Sequence, residues 1–251
     1  MILLIVSVLI LGYLGFVPVI SNLFGSNKPK DLGIKHTETD RNSARIKGQV
    51  EWVALTEGEG GGGGYQLAGR RAVKTEFSSA EISALMNNRP WKYWPYKDVQ
   101  VKFNKDGSGE ISGIFLKDRL VGYGAKIEAP KEAVVFAQKL LPTNTVFYLK
   151  GKAALKENEV ILFEPEVFEL GRLSLPVKMF LSRGLTKEVL AIEINQLTED
   201  LAKIQNKKGL IVNYINQRLG QLNGFYAKEA RAEEDKLIFE GSLPEREMTV
   251  R

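Results

Sequence analysis

The sequence predicts an α+β fold with long antiparallel β-hairpins curved around, or covered by, amphipathic helices. Several segments alternate apolar and polar residues, as half-buried strands do, and others carry apolar stripes at helical spacing. A short helix followed by a hairpin occurs twice, over residues 78–115 and 209–243. Strands with one apolar face and helices with one apolar stripe bury these surfaces against each other. We therefore expect two helix–hairpin units within one layered domain.

Composition narrows the possible functions. The chain has 251 residues, a net charge of +5 and no long Lys/Arg block, so nucleic acid is not an expected partner. It has no cysteine, which excludes disulfides, thiolate metal sites and a cysteine nucleophile. With a single histidine, His36, the chain lacks most of the side chains that zinc sites and acid–base catalysis usually use. We expect no metal and no cofactor.

The N-terminus predicts a membrane anchor. No charged residue precedes Lys28, and residues 1–20 read MILLIVSVLILGYLGFVPVI. About 20 apolar residues, at ~1.5 Å each, span a ~30 Å hydrocarbon core. We therefore expect a transmembrane helix over residues 1–24. Two alternatives are a buried core helix and a cleaved signal peptide, although a basic start and a small-residue cleavage site are both missing.

The sequence does not decide on which side of the membrane the rest of the chain lies. Six basic residues and three acidic ones follow the apolar segment, which favours a cytoplasmic domain. Long domains, however, are translocated largely regardless of charge. The basic residues are Lys28, Lys30, Lys35, Arg41, Arg45 and Lys47. We expect a linker over residues 25–43 and one α+β domain over residues 44–251.

The first half of the predicted domain has four recognisable segments. Residues 44–55 alternate partly and predict a strand, and the glycine-rich run 58–64 predicts a loop tip or connector. That run is not followed by the Lys-Ser/Thr pair of a phosphate-binding loop. Ser78 and Glu81 form a capping box that begins a helix, which ends at Arg89-Pro90. Its apolar stripe is Ile82, Leu85 and Met86.

The aromatic stretch that follows this helix has several interpretations. Residues 91–96 read WKYWPY. Such rings pack over a sheet edge or a helix end, line the mouth of a ligand site, or lie at the headgroup level of a membrane. The membrane-interface candidates are Trp91, Tyr93 and Trp94.

The remaining segments predict hairpins and helices in alternation. Strands with a turn at residues 105–109 form the first hairpin, and residues 145–155 and 159–170 form the second. Helices are expected over 130–141, 195–205 and 209–222, and an apolar stretch over 171–181. The last hairpin ends at Leu243, and residues 245–251 are predicted to be a polar tail.

The combination resembles YpmS-like single-pass bacterial membrane proteins and, more loosely, the tubular lipid-binding (TULIP) superfamily. The resemblance covers residues 75–244. It rests on the N-terminal anchor, the helix with Asn87-Asn88, the 105–109 turn, GRLSLP at 171–176 and the helix-to-hairpin segment 214–244. It implies an extracytoplasmic domain on the cell membrane with a long apolar groove for an acyl chain. It supplies no catalytic residues.

Three functional hypotheses follow. The first is a lipid-binding or hydrophobe-binding domain, and the second is a structural or interaction module of the cell envelope with a filled core and a protein partner. The apolar residues that would line a groove in the first hypothesis, or form the core in the second, are Phe103, Ile111, Phe115, Phe147, Leu149, Leu162, Leu237 and Phe239. The third is an enzyme or cation site using Glu164, Glu166 and Glu169, although such carboxylates more often form a solvated strand face. We therefore predict no catalytic residue.

Overall fold

The computed structural model describes residues 2–13, 17–59, 63–129, 131–142, 144–175 and 210–251. Its helices are α1 (Ile2–Tyr13), α2 (Pro18–Phe24), α3 (Glu38–Gly48), α4 (Ser79–Asn87), α5 (Leu120–Lys126), α6 (Lys131–Leu140) and α7 (Leu210–Gln221), with a 3₁₀ turn at Lys117–Arg119. Its strands are β1 (Glu51–Leu55), β2 (Tyr65–Ala68), β3 (Arg71–Ser78), β4 (Tyr96–Phe103), β5 (Ser108–Leu116), β6 (Asn144–Lys156), β7 (Glu159–Leu170), β8 (Leu173–Leu175), β9 (Tyr226–Glu233), β10 (Lys236–Leu243) and β11 (Arg246–Val250).

The main sheet is antiparallel and strongly curled into a half-barrel, so the predicted α+β class is confirmed. Its order is β3-β10-β9-β6-β5-β4, with β7 and then β8 on the other side of β6. Strand β6 has 13 residues, and β5 pairs with residues 144–152 while β9 pairs with residues 154–156 on the same side. One long strand thus joins two smaller sheets. The backbone N–H of Asp235 closes the curl at one end by donating to the Phe103 carbonyl at 3.0 Å.

Helix α4 seals the open edge of β4. The side chains of Ser79, Ser83 and Asn87, spaced four residues apart on the helix, accept from the main-chain N–H groups of the strand. The donors are Phe103 (3.0 Å), Val101 (2.8 Å) and Val99 (2.8 Å), in that order. The capping box at Ser78 and Glu81 starts this helix, as predicted.

Two apolar clusters lie inside the curl, and Ile82 of α4 contacts both. One cluster centres on Phe77 and Phe239, and the other on Val101 and Phe147. Helix α7, in contrast, packs mainly against β7 rather than against the hairpin that follows it. The Asn216 side chain of α7 accepts a hydrogen bond from the Val160 N–H of β7 at 2.8 Å. The two predicted helix–hairpin segments therefore share an order along the chain but pack differently.

Two predictions of secondary structure are wrong. Residues 245–251 are not a polar tail, because β11 is the central strand of a second sheet, β1-β11-β2, and runs parallel to β1. Residues 44–55 do not form one strand, because a capping box at Thr37 and Asp40 starts α3, which continues to Gly48 and buries Ala44. The predicted linker thus ends inside a helix. The helix predicted over residues 195–205 lies outside the described residues.

The apolar N-terminal segment forms two short helices. The hydroxyl of Ser21 in α2 donates to the Gly12 carbonyl of α1 at 2.8 Å, and Tyr13 packs edge-on against Phe24. Within the residues that the structure describes, no helix is both long enough and apolar enough to cross a membrane. The anchor predicted over residues 1–24 stays a prediction.

Candidate functional site

The inner face of the curl carries a row of apolar side chains across three strands. Leu149 of β6 lies opposite Ile111 of β5 on one side and Phe168 of β7 on the other. Leu149 keeps 39% of its surface exposed, and the other two side chains are only partly buried. This row is a candidate floor for an apolar groove, because an inward-facing leucine in a filled core would be covered.

One end of this face is aromatic. The Tyr96 ring lies 5.6 Å from Phe115, 5.8 Å from Phe147 and 5.0 Å from Trp94. Tyr123 adds a fifth ring, 5.9 Å from Tyr96. Burial raises the pKa of both Tyr96 and Tyr123, so these phenols stay neutral at physiological pH. The aromatic end therefore presents flat, uncharged surfaces.

The predicted groove residues divide between core and groove. Phe103, Phe147 and Phe239 are buried, whereas Ile111, Phe115 and Leu237 are partly buried against the two clusters. Leu237 and Phe239 pack near α4 and belong to the core there. Of the predicted residues, Ile111 and Leu149 therefore belong to the apolar row, and Phe115 and Phe147 lie at its aromatic end.

Leu162 does not belong to this face. It pairs with Ala154, which pairs in turn with the exposed Arg231, so the three lie on the outer face. The reason is a β-bulge at residues 165–167 that reverses the alternation of β7, and it makes Phe163 face inward. If the alternation of β7 is counted without the bulge, Leu162 is assigned to the inner face in place of Phe163.

Gly151 of β6 explains why the two strands tolerate this bulge. A Cβ there would lie 2.6 Å from the Glu164 carbonyl oxygen and 2.8 Å from the Pro165 Cα. Only glycine allows β7 to approach so closely.

No protein-family model, curated protein or solved structure matches this chain. The functional assignment therefore depends on the geometry of the chain itself.

Trp91 and Trp94 lie inside the domain. They are 3% and 8% exposed, and their indole N–H groups donate to the carbonyls of Gly63 (2.8 Å) and Met86 (2.6 Å). Tyr93 is half-buried. The rings thus pack at the end of α4, which was one of the interpretations of this stretch. A role for Trp91, Tyr93 and Trp94 at a membrane interface stays a prediction.

The candidate carboxylates lie on the outer face. Glu164 and Glu166 are exposed, and Glu166 forms an ion pair with Lys150 at 2.8 Å. Glu169 is half-buried opposite Tyr148. Over the described part of the chain, no three His, Asp or Glu side chains are grouped as metal ligands.

The outer face is polar and internally bonded. The Tyr148 hydroxyl donates to Glu110 at 2.6 Å, and the Asn104 amide donates to the same carboxylate at 3.0 Å. Burial raises the pKa of Glu110, but these two hydrogen bonds outweigh it and the net shift is downward. Around Glu110 the outer face is thus polar, whereas the inner face of the same strands carries the apolar row.

Proposed function

We propose that this chain is a membrane-anchored extracytoplasmic domain that binds an acyl chain, or another hydrophobic ligand, on the inner face of its curled sheet. The observation that supports this most directly is the exposure of Leu149 on the apolar inner face, between Ile111 and Phe168. The resemblance to lipid-binding proteins in the sequence points the same way.

The chemistry of the inner face suits an unspecific apolar ligand. The inward residues of β6 after Thr145 are Phe147, Leu149, Gly151, Ala153 and Leu155, none of which is charged or polar. Burial of a methylene group stabilises a complex by about 0.8 kcal/mol. A stretch of groove that covers several methylenes would therefore bind an acyl chain without any hydrogen bond to the headgroup.

The N-terminal helices support attachment to a membrane. Val19 and Leu23 of α2 are 80% and 81% exposed, and α1 exposes a further group of large apolar side chains. These are Ile5, Val6, Leu9, Ile10, Leu11 and Tyr13. Contiguous exposed apolar surface of this kind marks a contact with lipid or with another protein. We propose that residues 1–24 anchor the chain as a single pass.

Two leucines of the same hairpin provide the test. Leu149→Asp places a carboxylate in the proposed groove, whereas Leu162→Asp places one on the outer face. A carboxylate against an acyl chain costs at least about 1.4 kcal/mol, which is tenfold in Kd. We expect Leu149→Asp to weaken fatty-acid binding tenfold or more, and Leu162→Asp to leave it within about twofold. Native mass spectrometry of residues 28–251, followed by organic extraction, identifies the bound species.

Circular dichroism should show that both variants remain folded. Equal binding by the two variants, or a bare protein mass after incubation with lipid vesicles, would contradict the groove. The second result would favour the alternative, a cell-envelope interaction module whose apolar strand faces are its core.

A further inference from the structure

Residues 28–36, which we call the strap, lie against the outer face of the main sheet and do not form a loose tether. The Lys30 N–H donates to the Ser112 hydroxyl of β5 at 2.8 Å, and the Lys30 ammonium lies 3.8 Å from the centre of the Tyr148 ring of β6. Ammonium contacts of this kind are attractive, and more so when partly desolvated.

The strap then crosses to the edge of the sheet. The N–H groups of Leu32 and Ile34 both donate to the Gln100 amide oxygen of β4, at 2.8 and 3.2 Å. Gly33 has a positive φ of 74° and bends the chain, so that the N–H groups on both sides of it reach the same oxygen. Leu32 is only 8% exposed. The strap therefore crosses β6, β5 and β4 in turn. It is held there by Tyr148, Ser112 and Gln100, which the alternation of the strands would place on a solvated face.

The beginning of the strap is close to one corner of the sheet. The Arg172 guanidinium, in the turn between β7 and β8, donates to the Gly25 carbonyl at 3.1 Å. Gly25 caps α2 directly after Phe24. From Gly25 to Lys30 is five residues, which span at most about 18 Å. The β7–β8 turn is thus tied to the end of the apolar N-terminal segment.

The same corner borders the aromatic end of the inner face. Leu170, the last residue of β7, lies opposite Phe147, and the Gly171 N–H donates to the Val146 carbonyl at 2.6 Å. Phe147 contacts Tyr96. Arg172 lies at this corner and the exposed Lys28 follows Gly25 three residues later, so the basic side chains here suit an anionic headgroup layer.

We propose that the strap fixes the domain with its β7–β8 turn against the bilayer, so that hydrophobic ligands enter the aromatic end of the groove directly from the membrane. This inference rests on the proposed anchor and groove. It goes beyond them because it assigns one orientation to the domain and one direction of entry to the ligand. A flexible tether would allow any orientation.

The absence of cysteine in the chain makes the orientation measurable. Leu173→Cys, at an exposed site beside Arg172, and Asp106→Cys, in the β4–β5 turn, each carry one fluorophore on the full chain in nanodiscs. Strand β5 has nine residues, and the eight steps between them, at ~3.4 Å each, separate these two ends of the sheet by about 27 Å. We expect lipids with a nitroxide headgroup to quench the label at residue 173 strongly and the label at residue 106 at background level.

Loss of the strap contacts should abolish that difference. Gln100→Ala with Ser112→Ala removes three acceptor contacts of the strap on the outer face, and Gln66→Ala, at an exposed site of β2, is the matched control. We expect the double variant to bring the two quenching values together and the control to preserve the difference. Thermal unfolding checks that each variant is folded.

The outcomes separate this proposal from the proposed function. Equal quenching at residues 173 and 106 in the otherwise unaltered chain would overturn the orientation, even if the Leu149→Asp comparison shows that the groove binds acyl chains. Quenching that the double variant leaves unchanged would overturn the role of the strap. Background quenching at both positions would overturn the orientation, and failure of the full chain to enter nanodiscs would overturn the anchor as well.

Discussion

The Asn87 side chain shows how single residues close this sheet without another strand. Its amide donates to the Val99 carbonyl at 2.7 Å, and its oxygen accepts from the Val99 N–H at 2.8 Å. These are the two bonds that a neighbouring strand would make. One helical turn earlier, the Ser83 hydroxyl accepts from the Val101 N–H at 2.8 Å, while its own proton is directed to the Ser79 carbonyl at 2.7 Å. An unpaired edge invites association with other strands, so this row of side chains protects the domain as well as stabilising it.

Ser83→Ala tests the importance of this edge. Ser83 is fully buried, and its loss leaves the Val101 N–H without its acceptor in a place that water does not reach. We expect a decrease of about 1–3 kcal/mol in the free energy of unfolding, measured with urea. Asn88→Ala is the control, because the Asn88 amide donates to the Ala84 carbonyl of its own helix and not to β4 among the described residues, so its loss should cost less. An equal decrease in the free energy of unfolding in the two variants would show that the contact with the strand edge contributes no more than a hydrogen bond within the helix.

The roles of residues could be predicted where the signal lies within a few neighbouring residues of the sequence. Ser78 and Glu81 were predicted correctly as a capping box, because its signal lies within four residues. Leu162 was assigned to the wrong face, because the bulge at residues 165–167 depends on the close approach of Gly151 on another strand. The spacing of Ser79, Ser83 and Asn87 was visible in the sequence. Polar residues four apart on the buried side of a helix indicate an edge to be covered.

Between elements, the Glu81 carboxylate links α3 to α4. It accepts from the Ser78 N–H at 2.7 Å within the capping box, and from the Lys47 ammonium of α3 at 2.8 Å. The Ser43 hydroxyl of α3 donates to it as well. Its side chain is only 5% exposed. The helix that covers the sheet edge is thereby tied to the helix that precedes the domain's first strand.

This link should depend on pH. Burial raises the pKa of Glu81, but the bonds from Lys47, Ser43 and the Ser78 N–H outweigh it, and the pKa lies below its ordinary 4.5. A carboxylate whose pKa is lowered by folding stabilises the fold above its unfolded pKa, and this contribution is lost as pH falls through the folded pKa. We expect Glu81→Gln to destabilise the protein at pH 7 and to have much less effect at pH 3.

Urea unfolding at both pH values measures the difference. Glu38→Gln is the control, since Glu38 is exposed in the first turn of α3 and pairs with Arg41 of the same helix. A Glu81→Gln effect of the same size at pH 7 and pH 3 would contradict the assigned charge state.

The second sheet could not be predicted from local patterns. Strand β11 is short and contains Arg246 and Glu247, and its partner β1 lies about 195 residues earlier in the chain. Glu247 is nevertheless buried, because it pairs with Arg89 at 3.3 Å beside the aromatic cluster. A charge in the sequence is normally taken as a sign of exposure, and only the long-range partner changes that interpretation.

At the scale of the molecule, the two sheets are joined by the segment between α4 and β4. The Lys92 N–H donates to the Val250 carbonyl at 3.1 Å, and the Thr249 hydroxyl donates to the Pro90 carbonyl at 3.1 Å. Trp91 packs against Tyr65 of β2, 5.0 Å between ring centres. The small sheet therefore holds the aromatic end of the proposed groove in place from outside.

Deletion of residues 246–251 tests this dependence of the groove on the C-terminus. It removes the central strand of the small sheet, so β1 and β2 lose the strand with which both pair, and Arg89 loses the carboxylate that pairs with it. Glu247 is 3% exposed and Arg89 33%, so the loss of this half-buried pair adds to the loss of the strand itself. We expect a large fall in the unfolding midpoint, a red shift in tryptophan emission as Trp91 becomes hydrated, and weaker acyl binding through movement of Tyr96. Removal of Arg251 alone, which is exposed and lies outside β11, should change none of these. A truncated chain with an unchanged midpoint and unchanged emission would show that the main sheet organises its aromatic end without the small one.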